Sequence, residues 1–269
     1  MARFGRFVLL EPVKRGGMAE IWLARDDAHH HYALRVMHTE LESQRAARRR
    51  FLHGCKVLAD LQPHPFIVRY YEHGRHAGRH YLAMEYVEGE NLKERAARGD
   101  PVLAENVAQI LLDMAVALEH MHDRGYMHLD FKPENVLVTP GASIRLVDFD
   151  IAQPIPPAPV RLDRNPGTPS YMAPEQLLRQ PLDQRVDIFA YGVVAYELLT
   201  HQKPFDGSTP EEILRGQQDP ARLRPPRELN PDIPPALERV LLRCLQPDPN
   251  RRYAVMSHLR HELETVLYR

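Results

Sequence analysis

The amino-acid sequence predicts an α+β protein in which a β-rich first third is joined to a mainly helical remainder. Short apolar runs separated by turn residues fill residues 7–37, which is the pattern of strands and tight turns. Two long, strongly apolar stretches that predict helices follow at 107–122 and 186–200. The character of the chain changes near 85–89, and we place the joint between the two parts there.

The strands of the first part are predicted from apolar runs bounded by turn residues. Gly16 and Gly17 break the first run, and the three histidines at 29–31 favour a polar hairpin tip, with a metal-binding tract as the alternative. The predicted strands lie at 7–10, 21–24, 32–37, 67–71 and 80–86.

One long helix is predicted in the first part, from about 44 to 61, with Ser43 as its N-cap. Its apolar residues, among them Phe51, Cys55 and Leu58, recur at helical spacing. Residues 153–169 are rich in Pro and Arg and predict an irregular loop. The helices predicted in the second part lie at 107–122, 186–200, 237–246 and 256–268.

The composition argues against several classes of protein. The chain has 269 residues, is 43% hydrophobic and has a formal net charge of −1, so no overall charge favours nucleic acid or a membrane surface. No stretch approaches the ~20 apolar residues of a membrane span, and the first residues lack the apolar region of a secretory signal. The two cysteines, Cys55 and Cys244, favour a reducing compartment, and we predict a cytoplasmic protein.

Residues 128–135, His-Leu-Asp-Phe-Lys-Pro-Glu-Asn, are the most informative segment. They place Asp130, Lys132 and Asn135 in one short loop, and Asp148 comes thirteen residues after Asn135. A carboxylate that orients a hydroxyl, a cation for a phosphate and two oxygen ligands for Mg²⁺ are what phosphoryl transfer needs, because its catalysis is mainly positioning and charge neutralisation. We therefore predict that Asp130, Lys132 and Asn135 are catalytic and that Asn135 and Asp148 bind Mg²⁺.

Together with four further motifs, these residues resemble the eukaryotic-like Ser/Thr protein kinase family of the bacterial type. The match runs in order over nearly the whole chain, and Lys132 and Thr168 are similar to the Ser/Thr rather than the Tyr kinases. The further motifs are 16–20 (Gly-Gly-Met-Ala-Glu), 148–150 (Asp-Phe-Asp), 167–175 and 187–192.

The resemblance implies a bilobal protein-kinase fold, formed by a single domain over residues 1–269. A small β-rich N-lobe with one main helix is expected at about 1–86, a hinge at about 85–89 and a large, mainly helical C-lobe at about 90–269. The implied cofactors are ATP and Mg²⁺. The implied partner is a protein substrate or a regulated protein, with neither nucleic acid nor a membrane.

The resemblance also assigns the residues around the nucleotide. The adenine is expected between Ile21, Ala33 and Leu137, with the backbone of Glu85 and Val87 at its edge. The expected cofactor-binding residues are Gly16, Gly17, Ile21, Ala33, Arg35, Met84, Glu85, Val87, Asn91 and Leu137, where Met84 lies behind the adenine and Asn91 at the ribose. Away from the nucleotide, the resemblance implies an apolar column between the lobes and a structural Glu175–Arg252 ion pair. The column consists of Leu58, Tyr70, His128 and Phe149.

Two departures from the family pattern concern the cation that holds the α- and β-phosphates. The family's strand Lys is Arg35 here, which is bulkier, planar and not interchangeable with Lys. Its usual partner, a Glu on the helix of the small lobe, is Gly54. Neither Glu40, Glu42 nor Asp60 lies where it could replace that Glu, so the sequence predicts no replacement. Our hypothesis is that Gly54 vacates the volume that Arg35 fills.

Other departures surround the catalytic loop. Lys14 and Ala19 replace two glycines of the phosphate-binding loop, and Leu129 replaces the Arg that receives an activation-loop phosphate in the family. Residues 151–165 contain no Ser or Thr, so we predict no switching by phosphorylation of that loop; Thr168 and Ser170 remain as weaker candidates. Asp150 replaces a Gly and is interpreted as either an additional metal ligand or a source of repulsion toward phosphate.

Three functions remain open. The first is an ATP- and Mg²⁺-dependent Ser/Thr protein kinase with attenuated activity, since the residues that handle metal and hydroxyl are present. The second is a pseudokinase that acts as a nucleotide-binding scaffold or regulatory module, since the Lys–Glu pair is lost. The third and least favoured is a small-molecule kinase, because residues 167–175 and the helix from Asp187 resemble a platform for protein substrates.

Overall fold

The computed structural model describes residues 2–162 and 166–268. A six-stranded antiparallel sheet forms the first lobe, in the order β1-β2-β3-β4-β6-β5. Its strands are β1 (Arg3–Phe4), β2 (Phe7–Arg15), β3 (Ala19–Arg25), β4 (His31–Met37), β5 (Tyr70–His76) and β6 (Arg79–Glu85). The strands predicted at 7–10, 21–24, 32–37 and 80–86 are confirmed.

The strand predicted at 67–71 was misplaced toward the N-terminus. The apolar Ile67 and Val68 are buried, but they precede the strand. Ile67 forms an isolated parallel bridge with Leu146. The true strand β5 lies at the edge of the sheet and is mostly polar, so it lacks the apolar pattern that marks the inner strands.

Helix α1 (Arg45–Asp60) packs against the sheet with Phe51, Cys55 and Leu58 buried. The predicted cap Ser43 was wrong by one residue: Gln44 occupies the N-cap position, and its side chain makes no capping hydrogen bond. The far end of the helix is tied to the second lobe, because His120 Nε2 lies 2.8 Å from the carbonyl oxygen of Leu61.

The second lobe is mainly helical, and the α+β architecture with a β-rich first lobe is confirmed. Helix α6 is apolar on every face because it lies in the middle of this lobe, with side chains such as Val193 and Ala195 fully buried. The helices of this lobe are α2 (Leu92–Ala97), α3 (Pro101–Glu105), α4 (Val107–Asp123), α5 (Pro174–Leu177), α6 (Arg185–Thr200), α7 (Pro210–Gln218), α8 (Pro226–Leu229), α9 (Pro235–Cys244) and α10 (Met256–Tyr268). The four helices that the sequence predicts correspond to α4, α6, α9 and α10.

Two small antiparallel sheets lie where the lobes meet. One has the order β10-β9-β7 and the other pairs β11 with β8. Their strands are β7 (Glu90–Asn91), β8 (Tyr126–Met127), β9 (Val136–Val138), β10 (Ile144–Leu146) and β11 (Gln153–Pro154). The predicted irregular loop at 153–169 therefore begins with a short strand, while its residues 163–165 lie outside the described part of the chain.

Within residues 2–162 and 166–268, none of the helices combines the length and the apolar character that crossing a bilayer requires.

The loop after α1 contains a histidine whose protonation opposes folding. The ring of His64 stacks on that of His120 at a centroid distance of 4.2 Å. Burial and the neighbouring His120 lower the pKa of His64 from 6.5 to about 4. Since the unfolded chain binds this proton at a higher pH than the folded protein does, His64 reduces stability as pH falls from about 6.5 toward 4.

Replacing His64 with Gln is therefore expected to flatten the pH dependence of the unfolding free energy over that interval. Urea unfolding at several pH values measures the slope. The exposed His258→Gln serves as the matched control and is expected to keep the wild-type slope. Equal slopes for wild type and His64→Gln would contradict the assignment.

Candidate active site

Asp187 of helix α6 fixes the loop that carries the predicted catalytic residues. Its carboxylate accepts hydrogen bonds from the backbone N–H groups of His128 and Leu129, at 2.8 and 2.9 Å. It also lies 2.9 Å from Nε2 of His122. Leu129 has a φ of 66°, a conformation that few residues with a side chain adopt, and these hydrogen bonds hold it there. From the sequence, Asp187 is evident only as part of a family motif, and its role in holding the loop is not.

Burial disfavours the charge on Asp187, but the hydrogen bond and charge of His122 and the loop N–H groups outweigh it, and the pKa of Asp187 is lowered. The carboxylate therefore stays ionised at neutral pH, and it stabilises the fold above the pKa of an unfolded Asp. That stabilisation is lost as pH falls through the lower pKa of the folded state.

Replacing Asp187 with Asn is expected to destabilise the protein by about 1.5–3 kcal/mol, because the loop loses hydrogen bonds to a charged acceptor. Urea unfolding measures the change, and the exposed Asp232→Asn is the control, expected within about 0.5 kcal/mol of wild type. An Asp187→Asn protein as stable as the control would show that the carboxylate does not support the loop.

Asp130, Lys132 and Thr168 form a closed hydrogen-bonded cluster. Lys132 Nζ lies 2.7 Å from Asp130 Oδ2 and 2.8 Å from Thr168 Oγ1, and the Thr168 hydroxyl donates to Asp130 Oδ1 at 2.8 Å. The structure thus brings the predicted Asp130 and Lys132 together and adds Thr168, which the sequence analysis had weighed only as a family mark and a phosphorylation candidate. A hydroxyl engaged in this way belongs to the site itself.

Gly167 is required for Thr168 to reach the loop. Its φ is +126°, and a Cβ at this position would lie 2.7 Å from the carbonyl oxygen of Leu129. Only glycine tolerates both the backbone angle and the close approach.

Asn135 and Asp148 lie on two adjoining segments. The amide nitrogen of Asn135 donates to the carbonyl oxygen of Asp130 at 2.9 Å, so the amide oxygen is the atom of this side chain that can bind a cation. The backbone N–H of Val147 donates to the carbonyl oxygen of Asn135 at 2.9 Å. Asp148 is exposed, while Phe149 is buried with its ring 5.7 Å from that of His128, as the apolar column predicts.

These two side chains fit Mg²⁺ better than a metal that needs a full set of protein ligands. Among the residues the structure describes, no cluster of three or more His, Cys, Asp or Glu side chains could hold a metal ion. Mg²⁺ is usually bound by one or two protein oxygens together with water and phosphate oxygens. An amide oxygen from Asn135 and a carboxylate from Asp148 match that donor set.

Arg35 does have a carboxylate partner, and the prediction that nothing replaces the helix Glu was wrong. Nη1 and Nη2 of Arg35 donate to Oδ1 and Oδ2 of Asp150 at 2.7 and 2.5 Å. The guanidinium also lies 5.1 Å from the centroid of the Phe51 ring. Burial lowers the pKa of Arg35, but the charge and hydrogen bonds of Asp150 outweigh it and raise the pKa above the ordinary value.

The hypothesis for Gly54 needs a matching correction. A Cβ at Gly54 would lie 2.3 Å from Asp150 Oδ1 and 3.0 Å from its Cα, so the vacated volume is filled by Asp150 and not by Arg35. Asp150 is buried and both of its oxygens are occupied by Arg35, which differs from both interpretations that the sequence suggested. The signal that could have revealed this pairing is the joint departure of residues 35, 54 and 150 from the family pattern.

The residues assigned to adenine lie around the sheet and the segment that follows it. In the strand registers, Ile21 faces Arg35, Ala33 faces Met84 and Leu137 faces Asn91. Ala33 is buried, whereas Ile21, Met84, Val87 and Leu137 are partly exposed. Ile21, Ala33 and Met84 thus lie on neighbouring strands of the first lobe, and Leu137 lies in the small sheet where the lobes meet; their contact with one adenine stays a prediction.

Glu85 and Asn91 also support the backbone around that region. Glu85 donates its N–H to the carbonyl oxygen of Arg69 at 2.8 Å, and its carboxylate lies 3.1 Å from Nε of Arg145. The side-chain oxygen of Asn91 caps α2 by accepting the N–H of Glu94 at 3.0 Å, and Asn91 is only 8% exposed. A contact between Asn91 and a ribose therefore stays a prediction.

The glycine loop between β2 and β3 is closed by short hydrogen bonds. The N–H of Gly16 donates to the carbonyl oxygen of Ala19 at 2.9 Å, and Nε2 of His38 lies 2.8 Å from the carbonyl oxygen of Gly16. Gly17 is exposed, with open space where a side chain would lie. Backbone N–H groups can therefore approach a phosphate at this turn, and His38 supports it in a way that no sequence motif indicates.

The sequence model of the protein kinase domain family matches residues 7–263. The chain belongs to the protein kinase family, and the bilobal protein-kinase fold is confirmed. A probable serine/threonine-protein kinase of Clostridium acetobutylicum is 32% identical over 264 residues, which cover 97% of this chain and 40% of the relative. PknB of Mycolicibacterium smegmatis is 31% identical over 271 residues (97% and 43%), and PrkC of Bacillus subtilis is 30% identical over 265 residues (97% and 40%). The chain thus spans less than half the length of these relatives.

Proposed function

We propose that this chain is a Ser/Thr protein kinase domain that binds ATP and Mg²⁺ and transfers the γ-phosphoryl group to a protein hydroxyl. The observation that carries the proposal is the Asp130–Lys132–Thr168 cluster, in which the base and the cation are fixed by hydrogen bonds of 2.7–2.8 Å. Asn135 is bonded to the same loop, and Asp148 adjoins it. The proposal is supported by the hydrogen bonds that join Asp130, Lys132 and Asn135, and by Asp148, which follows the Val147 whose N–H donates to Asn135.

The side chains have separate tasks in this proposal. Asp130 orients the attacking hydroxyl and accepts its proton, and Thr168 and Lys132 keep the carboxylate in position. Lys132 Nζ neutralises charge on the transferred group. Asn135 and Asp148 would hold Mg²⁺, which supplies charge neutralisation at the phosphates when bound.

The rate of phosphoryl transfer is expected to be lower than in kinases that have a Lys at the position of Arg35. Arg35 presents a planar, bulkier cation, and two of its N–H groups are already bonded to Asp150. The same observation favours the second candidate, a pseudokinase that binds nucleotide without transferring phosphate. The third candidate, a small-molecule kinase, gains no support from the structure, because residues 167–175 are anchored through the buried Glu175–Arg252 pair as a protein-substrate platform would be.

We also infer that phosphorylation of residues 151–165 does not switch the domain. That segment has no Ser or Thr. Leu129, which replaces the phosphate-receiving Arg, is 4% exposed and packs in the core, so it offers no cation to a phosphate. Residues 163–165 lie outside the described chain, and the inference for them rests on the sequence alone.

Ligand-dependent stabilisation and phosphate transfer together test the proposed function. Wild type should show a higher melting temperature with ATP plus Mg²⁺ than with either alone, because a ligand that binds only the folded state stabilises it. Asp148→Asn should lose the Mg²⁺-dependent part, whereas the exposed Asp206→Asn should keep it. Labelled ATP and a mixed Ser/Thr peptide library then report transfer. Binding without transfer would select the pseudokinase, and no binding would overturn the proposal.

A further inference from the structure

The carboxylate that holds Arg35 lies on the metal-binding segment and not on helix α1. In protein kinases generally, the strand Lys is paired with a Glu of the small-lobe helix. We propose that Asp150 has taken over this task as the positioning residue that keeps Arg35 directed toward the nucleotide phosphates, with Gly54 as the change that makes room for it. This inference rests on the proposed function, since it concerns how nucleotide is held.

The geometry of the pair suits a positioning role. Arg35 and Asp150 are joined by two parallel hydrogen bonds of 2.7 and 2.5 Å, and their side chains are only 15% and 3% exposed. A bidentate contact fixes the plane of the guanidinium as well as its location. Because a guanidinium has five N–H groups, three remain for phosphate oxygens. A Lys ammonium has three N–H groups and no plane, so the same contact would leave it fewer donors.

Gly54 is a necessary part of this arrangement. A Cβ at residue 54 would lie only 2.3 Å from Asp150 Oδ1, so any side chain there would displace the carboxylate. A Glu at this residue would in addition bring a second negative charge against Asp150. Helix α1 therefore contributes the Phe51 ring below the guanidinium and an open space beside it, but no charge.

The other groups near Arg35 do not compete for it. Burial raises the pKa of the Cys55 thiol to about 12, so this neighbour is neutral. Asp148 contributes a longer-range attraction but is exposed. In the described parts of the chain, Asp150 is the carboxylate that hydrogen-bonds the Arg35 guanidinium.

Because its carboxylate partner is Asp150, the orientation of the Arg35 guanidinium depends on the metal-binding segment. Asp150 lies two residues after Asp148, so the segment that would bind the metal also orients the phosphate cation. Helix α1 supplies neither hydrogen bond to the Arg35 guanidinium, whereas a shift of residues 148–150 would break both. The arrangement thus couples Arg35 to the metal segment in place of the helix.

Binding of Mg·ATP and of adenosine, measured by titration calorimetry, tests the proposal with four variants. These are Asp150→Asn, Asp150→Gly, Gly54→Glu and the double variant Gly54→Glu/Asp150→Gly. Adenosine has no phosphates, so it reports the integrity of the adenine pocket alone. Both Asp150 single variants should weaken Mg·ATP binding about 10–100-fold, the range typical for residues that orient a binding group, and should leave adenosine binding within a few-fold.

The double variant distinguishes positioning from packing. Gly54→Glu alone should lose affinity for Mg·ATP, because the new side chain displaces Asp150, while the double variant should recover most of it by restoring a helix carboxylate opposite Arg35. Three outcomes would overturn the positioning role and leave the proposed function intact. They are wild-type Mg·ATP affinity in Asp150→Asn, an equal loss of affinity for Mg·ATP and adenosine in the Asp150 variants, and no recovery of Mg·ATP affinity in the double variant. The positioning role is also overturned if wild type binds Mg·ATP no more tightly than it binds adenosine. If wild type binds neither ligand, the proposed function fails and this inference with it.

Discussion

Replacing Asp130 with Asn is expected to lower the rate of phosphoryl transfer by roughly 10²–10⁴-fold, the usual contribution of a positioned general base. The amide is nearly the same shape as the carboxylate, and its single oxygen can still accept the hydrogen bond from Lys132, while its NH2 group replaces the oxygen that now accepts from Thr168. It cannot take a proton from the attacking hydroxyl, however, and it removes the negative charge beside Lys132. The loss should therefore appear in turnover and not in nucleotide binding.

Initial rates with labelled ATP and Mg²⁺ measure the effect, and calorimetric titration with Mg·ATP checks that binding persists. Asp123→Asn is the matched control, because Asp123 is an exposed acid at the end of α4. Its rate should equal that of wild type. If Asp130→Asn and wild type incorporate label equally, the observed transfer does not come from this site, and the pseudokinase alternative gains the support.

Replacing Glu175 with Gln is expected to cost about 3–5 kcal/mol of stability, because it leaves a buried charge without its partner. Arg252 Nη1 and Nη2 donate to the two carboxylate oxygens of Glu175 at 2.7 and 2.8 Å, as the family resemblance implied. The two side chains are 0% and 5% exposed, so water cannot replace the lost charge. The same guanidinium also donates to the carbonyl oxygens of Gln246 and Pro247, which lock the cation in place.

Urea unfolding compares this variant with Glu262→Gln, whose partner Arg243 lies 3.5 Å away with side-chain exposures of 49% and 43%. A surface pair of this kind contributes about 0–1 kcal/mol, so the control should remain near wild type. A double variant, Glu175→Gln/Arg252→Met, should be less destabilised than Glu175→Gln alone, since it removes the unpaired cation. Equal losses in the buried and the exposed variant would rule out this account of the pair.

Much of the fold follows from local patterns in the chain. The long helices α4 and α6 are evident from long, strongly apolar stretches of the chain, and α10 has the predicted bounds. Strand β5 was displaced because an edge strand need not be apolar, and the apolar residues before it are buried outside the strand. Apolar periodicity in a sequence indicates which residues are buried. Near residues 67–76 the buried residues and the residues paired in the strand are different ones.

The candidate site divides in the same way. Asp130, Lys132, Asn135 and Asp148 are close in sequence, and their spacing alone indicates the chemistry. The partners of Arg35 and of the loop N–H groups come from 115 and about 58 residues away, so no local pattern indicates them. Asp150 could not be found among the residues of the predicted helix, because the acid that pairs with Arg35 lies on the segment after Asp148.

The contact between residues 54 and 150 also constrains the history of this chain. An ancestor with a side chain at residue 54 had no room for the present Asp150 carboxylate, since even a methyl group would lie 2.3 Å from it. A side chain at residue 54 and the Asp150 carboxylate in its present place therefore exclude each other. Residues 35, 54 and 150 should accordingly be inherited as a set among descendants of that ancestor.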